Sequence, residues 1–124
     1  MADRLRARRQ GNLGRAGEDL AHRYLRSRHF TVVARNWRPP QGGGEIDIVA
    51  WEGDWLVFVE VKTRRSGEWN APERDIDPEK IAYLRRAARD YIRRANADPA
   101  KVRFDAVSIT GSSLDHMRDA FPPG

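Results

Sequence analysis

The chain contains no cysteine, which excludes disulfides and thiolate metal sites and fits a reducing compartment. Histidine is scarce, and His116 has neither a second histidine nor a suitably spaced carboxylate to suggest zinc; it reads as a packing or capping residue. Long apolar runs are missing, since none approaches the roughly 20 residues of a membrane span. The N-terminal MADRLRARRQ is basic but is not followed by the apolar core of a signal peptide. These absences make the cytoplasm the expected location. Lysine is also rare: of 23 basic residues only Lys62, Lys80 and Lys101 are lysine. Arginine grips phosphate with paired hydrogen bonds, although genome composition produces the same bias.

What is present fits one folded domain. The 124 residues suffice for one compact unit and are too few for two ordinary ones, and 40% hydrophobic residues can build a core. The net charge of +5 is unevenly spread. Residues 1–35 hold nine arginines against Asp3, Glu18 and Asp19, a net of +6, whereas residues 36–77 net −4. A basic exterior suits a polyanion such as nucleic acid. The plainer reading is a solvated arginine-rich surface, and charge alone does not separate the two.

Apolar positions three or four apart, Leu13, Gly17, Leu20, Ala21, Tyr24 and Leu25, predict a helix from about Leu13 to Arg28. Residues 1–12 before it read as a flexible basic arm. Phe30 to Ala34 is β-branched and aromatic and reads as a strand; Asn36 to Gly44, rich in glycine and proline, reads as a loop. Ile46–Trp51 and Trp55–Val61 form a hairpin signal around Glu52-Gly53-Asp54, and a polar loop follows from Thr63 to Asp77. Asp77 then caps a helix that opens on Pro78, with an apolar face of Ile81, Leu84, Ala87, Ala88, Tyr91, Ile92 and Ala95. Val102 to Thr110 is a last strand, and residues 111–124 read as a C-terminal tail. The expected order is α-β-β-β-α-β in a single α/β domain.

The hairpin carries the chemistry. If Gly53 and Asp54 are the two turn residues, opposed residues have numbers summing to 107. Asp47 then lies opposite Glu60, Glu45 opposite Lys62, Val49 opposite Phe58 and Trp51 opposite Leu56, all on one face. The other face, with Ile46, Ile48, Ala50, Val57, Val59 and Val61, is wholly apolar. Two opposed, half-buried carboxylates repel and lose solvation, at a cost of several kcal/mol unless a cation or proton compensates. A divalent hard cation held by carboxylate oxygens would compensate. The alternative is a set of ion pairs, Glu45 with Lys62 and Asp47 with an arginine, on an exposed sheet end. Glu18 sits at the margin of the first helix's buried stripe, where a pairing with Arg15 or His22 explains it equally well. Lys80 is similarly placed on the second helix, a common position for a surface lysine. Arg103 and Asp105 share a face of the last strand and read as a structural ion pair.

An acidic residue on the first helix, Asp47 on the second strand and Glu60-x-Lys62 on the third together resemble the PD-(D/E)XK nuclease superfamily, with its restriction-endonuclease-like fold. More closely, the chain resembles the bacterial YraN-like family, similar to archaeal Holliday-junction resolvases. The matching pieces are GRAGEDLA from Gly14, Arg35-Asn36, GEIDIVA, VFVEVKTR, the helix beginning near Lys80, RFDAV from Arg103, and LDHMRDAF. Ile46 stands where the superfamily name has proline. The resemblance implies a mixed central sheet flanked by helices and a catalytic set of Glu18, Asp47, Glu60 and Lys62. Asp47, Glu60 and the Val61 carbonyl would hold Mg²⁺ or Mn²⁺, Lys62 would orient or deprotonate the attacking water, and Glu18 would assist from the helix. Glu45 and Lys80 stand behind that set as supporting residues. Arg15, Arg38, Arg64 and Arg65 are candidate nucleic-acid contacts, with Trp37 and Trp69 as bases' stacking partners. The resemblance also implies a homodimer, for which the sequence marks no interface.

The leading expectation is therefore a metal-dependent endonuclease acting on DNA, on branched or single-stranded forms. The rival is a non-catalytic nucleic-acid-binding or interaction module on the same fold, motivated by the arginine-rich helix faces.

Overall fold

Two apolar stretches, each able to form strand, cross the middle of the chain, and the helices that bracket them cover opposite faces of the sheet they build. The computed structural model describes residues 2–64 and 78–124, with residues 2–13 described as backbone only. Seven elements follow one another: α1 (Ala2–Ser27), β1 (Thr31–Trp37), β2 (Ile46–Glu52), β3 (Trp55–Arg64), α2 (Pro78–Ala95), β4 (Val102–Thr110) and β5 (Ser113–Phe121). The sheet runs in order β1-β2-β3-β4-β5. Only β3 and β4 are parallel, the other neighbours being antiparallel. A parallel pair requires a crossover, and the chain makes it through α2. The fold is thus a mixed α/β sheet with a helix on each face, as expected, with one strand more.

On one face Ala21 and Leu25 of α1 pack on Ile48, Ala50, Val57, Val59, Val107 and Ile109. On the other, Leu84, Ala87 and Ala88 of α2 pack on Val49, Leu56, Phe58, Val102 and Phe104. Alternation along each strand sends successive side chains to opposite helices, so both faces are dry. Among the described residues, no helix is long and apolar enough to cross a membrane.

The hairpin register holds where it is paired. Glu52–Trp55, Trp51–Leu56, Ala50–Val57, Val49–Phe58 and Ile48–Val59 are all opposed. Gly53 takes a φ of 57° at the first turn position, which this tight hairpin needs positive.

Several expectations need correcting. The backbone of the expected basic arm is helical, since α1 starts at Ala2. Leu20, placed on the buried stripe, is 42% exposed. Strand β1 extends through Asn36 and Trp37, and Trp37 pairs with Ile46 of β2 rather than looping out. The expected tail contains β5, whose His116 has a buried side chain that bonds Tyr24 Oη through Nδ1 and Asp105 through Nε2, at 3.1 and 2.8 Å. The Arg103–Asp105 pair is present, with Arg103 Nε donating at 2.7 Å, and it extends to Glu52 and Arg118. Ile46 joins the α2-side cluster with Val49 instead of following Ile48. Asp77, Arg65 and Trp69 lie outside the described residues.

Candidate metal centre

The site begins where the hairpin stops being a ladder. In a two-residue hairpin the residues flanking the turn exchange both backbone hydrogen bonds, and every second pair after them does likewise: 52 with 55, 50 with 57, 48 with 59. Ile46 with Val61 would come next. Instead Val61 N–H donates to Asp47 Oδ2 at 2.8 Å. Beyond Ile48–Val59, β2 stays with β1 as far as Trp37–Ile46, while β3 stays with β4 as far as Arg64–Thr110. The two central strands therefore fork, and the Asp47 carboxylate fills the gap. The N–H and C=O of an extended residue point the same way, so the Val61 carbonyl also aims into the fork. Released from the ladder to β3, Ile46 turns to the α2 side. The expected direct opposition of Asp47 and Glu60 thus becomes a side chain inserted between strands.

Glycine lets α1 reach this fork. A Cβ on Gly17 would lie 2.0 Å from Thr63 Oγ1, so helix and strand meet there only because no side chain intervenes. The next residue is Glu18, and the contact holds it at the mouth of the fork. Glu18, Glu45 and Asp47 each bring one carboxylate oxygen within 4.8 Å of the others.

Each carboxylate is compensated differently. Burial, then the nearby Glu60 charge, pushes Asp47 up to about 8 against the opposing Val61 hydrogen bond, so it holds a proton at neutral pH. Glu60 is 6% exposed and is paired with Lys80 of α2. Burial alone would lower the Lys80 ammonium, but Glu60 and Asp47 outweigh it and hold Lys80 above the usual lysine value. Glu45 accepts from Arg38 Nε and Nη2 at 2.9 and 2.6 Å. Glu18 lies 3.5 Å from Arg35, which is also 2.8 Å from Asp19. Lys62 is half-buried on β3 opposite Ser108, two residues beyond Glu60.

Of the expected nucleic-acid contacts, Arg15 is exposed and lines an open depression of about 360 Å³ together with Glu18, Arg38 and Glu45. Arg64 does not reach the surface: it is 6% exposed, enclosed at the end of β3. Trp37 is half-buried and packs against the core edge-on to Tyr91, with ring centroids 5.2 Å apart. Sequence pattern alone does not single out Arg35 as a partner of Glu18. The signal is its place on β1 opposite Ile48, next to the fork, which needs the register of a second strand pair to see.

Fold and cluster together define a mixed α/β protein with an acidic centre at a fork of its central strands. A family model described as "Uncharacterised protein family UPF0102" matches residues 17–109, and the chain belongs to that family. A UPF0102 protein of Solibacter usitatus (strain Ellin6076) is 56% identical over 124 residues, covering 97% of this chain and 94% of that one. One from Rhodococcus opacus (strain B4) is 42% identical over 114 residues, covering 88% and 95%. One from Streptomyces griseus is 48% identical over 101 residues, covering 81% and 83%. The matched segment spans Glu18, Asp47, Glu60, Lys62 and Lys80.

Proposed function

We propose that the chain is a metal-dependent endonuclease of the PD-(D/E)XK type, hydrolysing phosphodiester bonds of DNA. The observation that carries this reading is Asp47, half-buried beside Glu60 in the fork and pushed up to about 8, with two further carboxylates in reach. Perturbed carboxylates gathered at a cleft are the usual preparation for a hard divalent cation.

The donor set fits Mg²⁺ or Mn²⁺: oxygen ligands only, from Asp47, Glu60 and the Val61 carbonyl, with Glu18 and Glu45 on the open side. In the metal-free protein the Lys80 ammonium and a proton on Asp47 provide the charge balance that the cation would provide. When bound, such a cation supplies neutralisation of the phosphate and acidification of water. Lys62, on the same side of β3 as Glu60, orients the attacking water or, as the neutral amine, takes up its proton. Glu18 holds that water from the helix side. Arg15 and Arg38 border the open depression and receive the backbone of the substrate. Purified protein should nick DNA with Mn²⁺ or Mg²⁺, and Glu60→Ala should abolish cleavage while circular dichroism stays that of the parent. If Glu60→Ala cleaves as well as the parent, the reading is wrong.

One observation favours a second reading, a non-catalytic binding module. Arg38, Arg35 and Lys80 already pair Glu45, Glu18 and Glu60, so the cluster is balanced without metal. Calorimetric titration with Mn²⁺ separates the two: absence of binding at millimolar metal selects the module.

A further inference from the structure

Beside the acidic centre, on the same flank of the molecule, lies a second open depression of about 340 Å³ lined by Asp19, His22, Arg23, Arg26 and Arg35. Its charge is opposite in sign. Asp19 is engaged by Arg35 at 2.8 Å, and among the described residues Arg23 and Arg26 make no ion pair, so three guanidiniums face one carboxylate. Arg35 keeps a buried Nε–H with no acceptor among the described residues; Glu18 and Asp19 therefore do not fully satisfy it. His22 reports the same field: burial, then the Arg35 and Arg26 charges, hold its imidazole below the usual histidine value, so it adds no charge to the arginines at neutral pH.

The placement is regular. On α1, His22 follows Glu18 by four residues and Arg26 by eight, about 6 and 12 Å along the axis at 1.5 Å per residue. Arg35 joins the two depressions, touching Glu18 on one side and Asp19 on the other. A strand entering the acidic centre would thus meet the guanidiniums of Arg23, Arg26 and Arg35 within a nucleotide or two of it, the arrangement of an electrostatic groove that tracks a nucleic-acid backbone. Ordinary solvated arginines on a helix need neither a concave lining nor a shared bridge to the acidic site.

We infer that the depression lined by His22, Arg23, Arg26 and Arg35 is a subsite for a backbone phosphodiester of the substrate strand, flanking the phosphate held at the metal centre. This rests on the nuclease reading for its substrate, and it assigns residues that reading does not use.

The test is binding of a fluorescein-labelled single-stranded DNA oligonucleotide, followed by anisotropy in EDTA across a series of salt concentrations. The double substitution Arg23→Ala/Arg26→Ala should weaken binding and flatten the dependence of log K on log salt by about 1, at roughly 0.7 for each single-strand phosphate no longer neutralised. It should leave Mn²⁺ affinity at the parent value. Arg86→Ala/Arg89→Ala removes the same charge from α2, on the opposite face of the sheet, and should flatten it less. The inference is overturned if Arg23→Ala/Arg26→Ala keeps the parent slope, if both double variants lose slope equally, or if the parent shows no salt-dependent binding. The nuclease reading is judged separately, by cleavage with Glu60→Ala.

Discussion

Asp47 carries two opposing demands. Its Oδ2 completes the hydrogen bonding of Val61, yet burial and the neighbouring Glu60 charge disfavour the ionised form and push it up to about 8. The folded state therefore keeps a proton that the unfolded chain releases near the ordinary aspartate value of about 4. Stability should fall as pH rises from about 4 to about 8 and then level off, by at most about 1.4 kcal/mol for each pH unit crossed. In metal-free buffer, urea denaturation should show Asp47→Asn losing less stability than the parent between pH 5 and pH 9. Equal losses would mean that Asp47 is ionised throughout. Added Mn²⁺ should reverse the trend in the parent, because the cation displaces the proton and binds more tightly as pH rises toward 8. The sequence revealed this pairing of carboxylates through the count to 107 across the turn. It could not reveal the fork, because the count assumes a ladder that continues, and Asp47 ends it by accepting the Val61 N–H.

At the scale of elements, α1 is located by one close contact. Ala at position 17 would drive its Cβ into Thr63 Oγ1, so Gly17→Ala should displace the helix from β3 and carry Glu18 away from Asp47. Overpacking of this kind costs roughly 1–3 kcal/mol. Urea denaturation should register that destabilisation, and calorimetry should show weaker Mn²⁺ binding; an unchanged variant would mean that Thr63 simply rotates aside. Strand β5 is fixed differently, through Asp105. That carboxylate is fully buried and accepts from Arg103, His116 and the Asp119 N–H. Burial would raise it, but these three donors outweigh burial and hold it below the usual range. Removing it by Asp105→Ala leaves the Arg103 guanidinium with Glu52 alone and takes an acceptor from His116 and the Asp119 N–H, at about 3–5 kcal/mol, and should loosen β5 first, as faster amide exchange there than in β3. The strand is hidden from sequence pattern for a physical reason. It is an edge strand, exposed on much of one side, and its pairing shifts between Phe104 and Ala106. It lacks the near-continuous apolar run that betrays β2, β3 and β4. Strand β4, buried along nearly its whole length, is legible to the residue.

Across the whole molecule, cations from separate elements converge on one acidic centre: Arg35 from β1, Arg38 after it, and Lys80 from α2. A divalent cation entering the fork must compete with them, most directly with Lys80, whose ammonium is held by Glu60 and Asp47 above the usual lysine value. Lys80→Met keeps much of the side chain's bulk and removes the competing charge. It leaves Glu60 buried without its ion pair, so the metal-free variant should be less stable in urea than the parent. Its affinity for Mn²⁺ should rise, by about tenfold for each 1.4 kcal/mol of attraction no longer surrendered, and saturating Mn²⁺ should restore stability to near that of the metal-loaded parent. If calorimetry instead finds weaker Mn²⁺ binding in Lys80→Met, Lys80 positions Glu60 for the cation rather than standing in its place. The two outcomes differ in sign, so one titration of each protein decides which role α2 plays at the fork.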